Sequence, residues 1–311
     1  MRLSRLIPGR AAAAATVGVT PQTVTATDEV RVVVTLPEPI DKVDSAVVEL
    51  GYGNTYRYRW AGRHDAAAKF DDMSLVTMDQ VGTDYGSDRS TSDWVAALNQ
   101  PLPVAGGTLR AGEHEVRLRV PSWAPGTSRS TVTWEARLRV ARPGRDVEAA
   151  QPFEVLIAAP DPPPAAMPLI QGTRVMHNSI EWDITTERTC YRPGDVIAGT
   201  IALTPREPIS RTGELAVYFM TVFTSHPLER TPALDTETQT RPPIKIAEDL
   251  QLREGETTTL PFSVTLPDEV DPTTEAVHSS VDVFLLARIM FSGLTGGVES
   301  ARRGIVVFTA A

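Results

Sequence analysis

Arginine recurs at every second position in several short apolar segments of the first half of the chain. Successive side chains of a β-strand point to opposite faces, so the arginines share one face while the apolar residues share the other. A planar guanidinium binds carboxylate or phosphate groups bidentately. We therefore predict partner-binding roles, towards an anionic partner, for Arg117, Arg119, Arg137 and Arg139. The alternative is a polar outer sheet face that neighbouring Asp and Glu neutralise.

The chain shows no pattern that is typical of a catalytic site. It contains no G-x-S-x-G elbow, no phosphate-binding loop, no H-E-x-x-H helix and no dinucleotide-binding fingerprint. Gly51–Gly53 lacks the third glycine and the helix of such a fingerprint, and is predicted to be a turn. Cys190 is the only cysteine, and we predict a buried, inert thiol there. We predict no catalytic residue, no cofactor and no enzymatic activity.

Metal-ligating residue types are present but not at metal-ligand spacing. The five histidines are far apart in sequence: His64, His114, His177, His226 and His278. Six aspartates in the segment 71–107 offer oxygen ligands for calcium: Asp71, Asp72, Asp79, Asp84, Asp88 and Asp93. Their spacing matches no D-x-D-x-D-G loop, and acidic turns are commonly just solvated. We predict no metal site, with a calcium site in this segment as the alternative.

The distribution of charge bears on the kind of partner. The formal net charge is −9, and nucleic-acid binding requires a basic surface, so we predict a protein partner and no nucleic acid. Residues 1–157 carry 18 Lys/Arg and 19 Asp/Glu, whereas residues 158–311 carry 12 and 20. An anionic partner should therefore prefer the first half. The sequence leaves the oligomeric state open.

The first residues resemble a secretory signal in outline only. Arg2, Arg5 and Arg10 precede the apolar stretch Ala11–Val19, which is short and mostly alanine. We predict a cytoplasmic protein with a flexible N-terminus at residues 1–14, and secretion is the alternative. No run approaches the roughly 20 apolar residues of a membrane span, so we predict no transmembrane segment and a soluble protein.

The chain repeats one strand pattern on either side of a proline-rich stretch, Ala158–Pro168. Four pairs of segments correspond in order: Asp28–Ile40 with Asp195–Ile209, Leu109–Pro121 with Leu252–Pro267, Trp134–Val140 with Val281–Phe291, and Val147–Ile157 with Val298–Phe308. Short alternating strands with frequent turns are typical of sandwiches. We predict an all-β fold of two tandem immunoglobulin-like antiparallel β-sandwiches, at residues 15–157 and 172–311, joined by a linker at 158–171.

Three local predictions accompany this fold. We expect one short helix at Ser92–Asn99, capped by Ser92 or Asp93, and a mobile loop at Ser225–Pro243. We also expect ten side chains to be largely buried: Tyr56, Tyr58, Trp60, Val116, Leu118, Leu138, Phe262, Val264, Leu266 and Phe284.

Two segments of the second half resemble the arrestin-like family, including its bacterial sporulation-control type. Tyr191–Ile201 (YRPGDVIAGTI) is similar to the family's strand-opening pattern, and Leu260–Pro267 (LPFSVTLP) is similar to a later strand. The first half departs from the family, since Ala26–Glu29 replaces the Pro-Gly turn. The resemblance implies a pair of sandwiches that acts as a non-catalytic scaffold or adaptor. The alternative function is a secreted or cell-surface adhesion-type sandwich.

Overall fold

The structure is a computed structural model that describes residues 15–60, 87–172, 179–226, 235–293 and 297–310, without the side chains of 58–60, 87–89 and 235–236. Strands, turns and irregular segments account for all of these residues, and the described ranges contain no helix. They divide into two compact units. The first comprises the chain up to Asn54 with Asp93–Thr127 and Val132–Leu156, and the second comprises the remainder. The prediction for residues 1–14 lies outside the described residues.

Ten strands lie in the described residues before the proline-rich stretch. They are β1 (Thr16–Thr20), β2 (Thr23–Thr25), β3 (Glu29–Leu36), β4 (Ile40–Asp41), β5 (Ser45–Trp60), β6 (Ser87–Pro101), β7 (Thr108–Leu109), β8 (Gly112–Arg119), β9 (Val132–Ala141) and β10 (Val147–Leu156). They form a three-stranded sheet in the order β1-β3-β8 and a five-stranded sheet in the order β2-β10-β9-β5-β6, and β4 pairs with β7.

Eleven strands follow in the described residues of the second half. They are β11 (Leu169–Gly172), β12 (Ile180–Thr186), β13 (Cys190–Tyr191), β14 (Val196–Pro205), β15 (Thr212–Ser225), β16 (Asp235–Thr240), β17 (Ile244–Gln251), β18 (Thr258–Thr265), β19 (Thr274–Glu275), β20 (Ser279–Phe291) and β21 (Val298–Val307). One sheet has the order β12-β14-β18. The other has the order β11-β21-β20-β15-β16, with β13 on β21, β17 on β15 and β19 on β20.

The main sheets of the two halves repeat one topology. The sheet β1-β3-β8 corresponds to β12-β14-β18, and β2-β10-β9-β5 corresponds to β13-β21-β20-β15. The place of β6 is taken by β16 and β17, which pair with successive parts of β15 on the side opposite β20. In each half one short strand, β2 or β13, pairs in parallel with the last strand. This confirms the predicted fold class, an all-β fold of two tandem antiparallel sandwiches. The predicted domain boundaries stay a prediction.

Aromatic rings occupy the middle of the first core. Trp134 on β9 is fully buried, with ring centres 5.0 Å from Tyr52 and 5.8 Å from Phe153. A buried indole N–H needs an acceptor. Trp134 Nε1 donates to the carbonyl oxygen of Pro125 at 2.8 Å, so the loop between β8 and β9 completes this core.

The second core shows the same alternation. Phe262 and Val264 of β18 are buried with Tyr191 of β13 and Val283 of β20 among a larger apolar cluster. The Tyr191 hydroxyl donates to the carbonyl oxygen of Arg188 at 2.7 Å, so its buried polar atom has a partner.

Seven of the ten predicted core residues are buried, as expected from strand alternation: Tyr56, Val116, Leu118, Leu138, Phe262, Val264 and Leu266. The side chains of Tyr58 and Trp60 lie outside the described set. Phe284 is less buried than these seven and packs against a separate apolar cluster. Its strand neighbours Val283 and Leu285 point inwards, which places Phe284 half-buried on the outer face, 4.7 Å beneath the Arg302 guanidinium.

The predictions of a helix, a turn and a mobile loop are wrong. The expected helix at Ser92–Asn99 is part of β6, because this segment pairs with the long strand β5 and tertiary pairing overrides weak helix propensity. The expected turn at Gly51–Gly53 lies within β5. In the expected mobile loop at Ser225–Pro243, residues Asp235–Thr240 form β16, which pairs with β15.

Candidate binding groove

The four predicted arginines lie in two separate pairs. Arg117 and Arg119 are on β8 in the three-stranded sheet, whereas Arg137 and Arg139 are on β9 in the five-stranded sheet. All four alternate with buried residues, so each pair points away from the core between the two sheets. The pairs therefore lie on opposite outer faces of the first sandwich and do not form one surface.

The outer face around Arg117 is balanced in charge. Arg117 lies 3.3 Å from Glu115 and 3.5 Å from Glu29, and Arg31 lies 2.7 Å from Glu115. The hydrogen bond and charge of Glu115 raise the pKa of Arg31, and the hydrogen bond from Arg31 is the largest cause that lowers the pKa of Glu115. Arg119 faces Glu29 in the strand register without an ion pair to the described residues. On this solvent-exposed surface, positive and negative side chains neutralise one another.

The pair on β9 lines a groove of about 480 Å³ on the outer face of the five-stranded sheet. Arg137 lies opposite Glu49 of β5, and Arg139 lies opposite Glu148 of β10. We call this the Trp94 groove, and its lining residues are Glu49, Trp94, Glu135, Arg137, Leu138, Arg139, Glu148, Ala149 and Ala150.

Trp94 of β6 forms one side of the groove and is fixed at three points. Its Nε1 donates to Glu49 Oε2 at 3.1 Å, and the Arg137 guanidinium stacks on its ring, 3.5 Å from the centre. The third point is Gly51, where an added Cβ would lie 2.7 Å from the ring and would also meet the carbonyl oxygen of Val95. Only glycine at this position lets β6 approach so closely.

The charged groups of the groove form a connected network. Glu49 is 8% exposed and lies 3.5 Å from Arg139, whose Nε lies 3.9 Å from Glu148. Arg137 donates from Nε to Glu135 at 2.8 Å. A buried carboxylate is stable only when it is paired. Glu49 is paired with the Trp94 indole N–H and the Arg139 guanidinium, and it holds both side chains in place. With three carboxylates and two guanidinium groups, the groove presents both signs of charge on the outer face of the sheet.

Sequence reasoning found the arginines of this groove but not Trp94 or Glu49. The alternation of Glu49 with the buried residues Val48 and Leu50 carried a signal for an outward-facing carboxylate. No such alternation was recognised around Trp94, because the sequence analysis predicted a helix at Ser92–Asn99.

The other candidate residues that the structure describes are Cys190 and three histidines, His114, His226 and His278. Cys190 is 8% exposed, which confirms the predicted buried thiol. His114 Nε2 bonds the carbonyl oxygen of Arg110, and the His226 backbone N–H donates to the carbonyl oxygen of His278 at 2.9 Å. Across the described ranges, no group of three or more His, Cys, Asp or Glu side chains is arranged to hold a metal ion. Of the six aspartates that offered an alternative calcium site, Asp71, Asp72, Asp79 and Asp84 lie outside those ranges.

Comparisons with known proteins add a partial structural likeness. No family model matches the chain, and no curated protein matches it. Solved structures with a similar backbone include Spo0M, the sporulation control protein of Bacillus subtilis. That match has a TM-score of 0.33 and 19% sequence identity, and it covers 43% of this chain and 51% of Spo0M, about half the length of that protein.

The described residues contain no helix of sufficient length and apolar character to cross a membrane.

Proposed function

We propose that this protein is a non-catalytic adaptor that binds a protein partner in the Trp94 groove. The observation that carries the proposal is the preorganised network of Trp94, Glu49, Arg137 and Arg139 on an open sheet face. Tryptophan and arginine dominate the energetic centres of protein–protein interfaces. Side chains that are already held in place lose less conformational entropy when a partner binds.

The chemistry of the groove supports binding more than catalysis. Its lining is made of arginine, glutamate, tryptophan, leucine and alanine. The carboxylates of Glu49 and Glu135 are each engaged by an arginine, so they hold neighbouring side chains in place. The groove lies on an outer sheet face, as suits binding of a segment of a partner protein.

The charge of the groove defines the partner segment. Three carboxylates and two guanidinium groups favour a segment that carries both signs of charge over a purely anionic one. Of the four arginines predicted to bind a partner, Arg137 and Arg139 are therefore the better supported pair. The cytoplasmic location and the absence of a nucleic-acid partner stay predictions.

The separation of the arginines into two pairs gives a matched test. The variant with Arg137→Gln and Arg139→Gln changes the groove, and the variant with Arg117→Gln and Arg119→Gln changes the opposite face by the same charge. Immobilised chains would capture proteins from the native host, with quantitative mass spectrometry as the readout. We expect a defined set of proteins to be lost with the first variant and kept with the second. Identical capture by both variants and the parent chain, with folding verified by circular dichroism, would refute the proposal.

A further inference from the structure

The outer face of the larger sheet of the second sandwich carries three exposed apolar side chains in one area. Ile170 on β11, Met290 on β20 and Val298 on β21 are each more than a third exposed. The strand register places Val298 beside Met290, and it places Ile170 beside Arg302. Apolar side chains that are grouped on a surface, unlike scattered ones, mark interaction sites.

Two arginines lie among these apolar residues on the same face. Arg288 on β20 pairs in register with Ser300 of β21, so Arg302 is its diagonal neighbour, roughly 7–8 Å away. The Arg288 guanidinium lies 4.9 Å from the centre of the Tyr218 ring, and the Arg302 guanidinium lies 4.7 Å from the centre of the Phe284 ring. Stacking on the rings therefore holds both cationic groups against the sheet.

Neither guanidinium has a carboxylate partner in the part of the chain that the structure describes. Two acidic residues that are close in strand register are engaged elsewhere. Glu214 lies 3.5 Å from Lys245, and Glu299 accepts a hydrogen bond from the Ile180 backbone N–H at 3.1 Å. In addition, Arg288 Nε is buried without an acceptor among the described residues. A buried donor in this state is costly, and a bound ligand is one reason for a protein to retain it.

We propose that this surface binds an acidic segment of a partner protein. We call it the Arg288 face, and it comprises Ile170, Arg288, Met290, Val298 and Arg302. The two guanidinium groups select carboxylates, and the exposed side chains contact apolar residues of the same segment. Alternate side chains of an extended segment lie roughly 6.5–7 Å apart, close to the spacing of the two arginines. The segment should therefore carry acidic residues at alternate positions.

The acidic character of the second half does not oppose this proposal. Residues 158–311 carry 12 Lys/Arg and 20 Asp/Glu. At physiological ionic strength, however, charges further away than about 8 Å are largely screened. The groups that lie next to the ligand therefore decide its sign, and on this face they are the two arginines.

A random dodecapeptide library displayed on phage and selected on the immobilised full chain provides the test. We expect peptides enriched in alternating Asp or Glu together with apolar residues. Arg288→Gln with Arg302→Gln should weaken their binding at least about tenfold, as expected for loss of charge-assisted contacts. The matched control is Arg206→Gln with Arg253→Gln, which removes the same charge from exposed positions of the same sandwich and should bind like the parent. Selected peptides without acidic enrichment, or equal binding by both variants, would overturn the proposal.

The same library separates this surface from the Trp94 groove. Peptides of the Arg288 face should bind the variant with Arg137→Gln and Arg139→Gln as they bind the parent chain. Loss of the acidic peptides in that variant would assign them to the groove and contradict the Arg288 face. The two proposals can therefore fail independently.

A second variant tests the apolar part of the face without removing charge. Met290→Ser with Val298→Ser changes only exposed side chains, so the melting temperature should stay close to that of the parent. We expect the acidic peptides to bind this variant several-fold more weakly, and unchanged binding would contradict the apolar contacts. Capture of phosphatidylserine vesicles that requires Arg288 and Arg302, and that the selected peptides do not inhibit, would replace the protein segment by a lipid surface and overturn the proposal.

Discussion

Replacement of Phe262 by alanine tests the packing of the second sandwich most directly. Phe262 is 5% exposed and lies opposite Gly199 in the strand register. Its ring covers that glycine so closely that an added Cβ at Gly199 would lie 2.9 Å from the ring. The substitution therefore leaves a cavity and also uncovers the backbone of β14.

The expected cost follows from the burial of the ring. Removal of a fully packed phenylalanine lowers the free energy of unfolding by about 3–5 kcal/mol. The total stability of a domain is typically about 5–15 kcal/mol, so the variant should lose a large share of it. For a domain of this size the melting temperature should fall by roughly 10 °C, at roughly 2–4 °C per kcal/mol.

Guanidinium denaturation followed by tryptophan fluorescence provides the assay. Trp182 is 5% exposed in the second core and reports on that sandwich. The control is Val196→Ala, because Val196 on β14 is 53% exposed and should change stability little. A midpoint for Phe262→Ala that matches the control would refute the packing argument.

Two further predictions concern the groove and a half-buried carboxyl group. Gly51→Ala should destabilise the first sandwich by about 1–3 kcal/mol, because the new Cβ meets the Trp94 ring and the backbone of β6, and its denaturation midpoint would show this. An unchanged midpoint would contradict that contact. Burial is the largest cause that raises the pKa of Asp282, followed by the charge of Glu275. A raised carboxyl pKa in the folded state costs stability above that pKa, and the cost disappears as the pH falls below the unfolded value. Asp282→Asn should therefore raise the melting temperature at neutral pH and have no such effect in acid, and equal effects at both pH values would contradict this.

The sequence by itself determined the fold class and the residues of most of the core. Alternation of apolar and polar residues predicts which side chains of a strand point inwards. This pattern correctly predicted that Val116, Leu118 and Val264 are buried. The repeated order of segments also indicated the duplicated topology, because each pair of segments forms equivalent strands in the two sheets.

Only the tertiary structure decided which outward-facing residues share a surface. Alternation gives the inner and outer side of a strand but not the sheet to which the strand belongs, so it could not separate Arg117 from Arg137. The same limit applies to Trp94, whose position depends on β6 pairing with β5 and on the space left by Gly51. For Phe284 the face was readable from the sequence, because Asp282 and Arg288 alternate with the inward residues of β20 and share the side of Phe284. Long-range strand pairing, which no local period encodes, therefore assembled the groove.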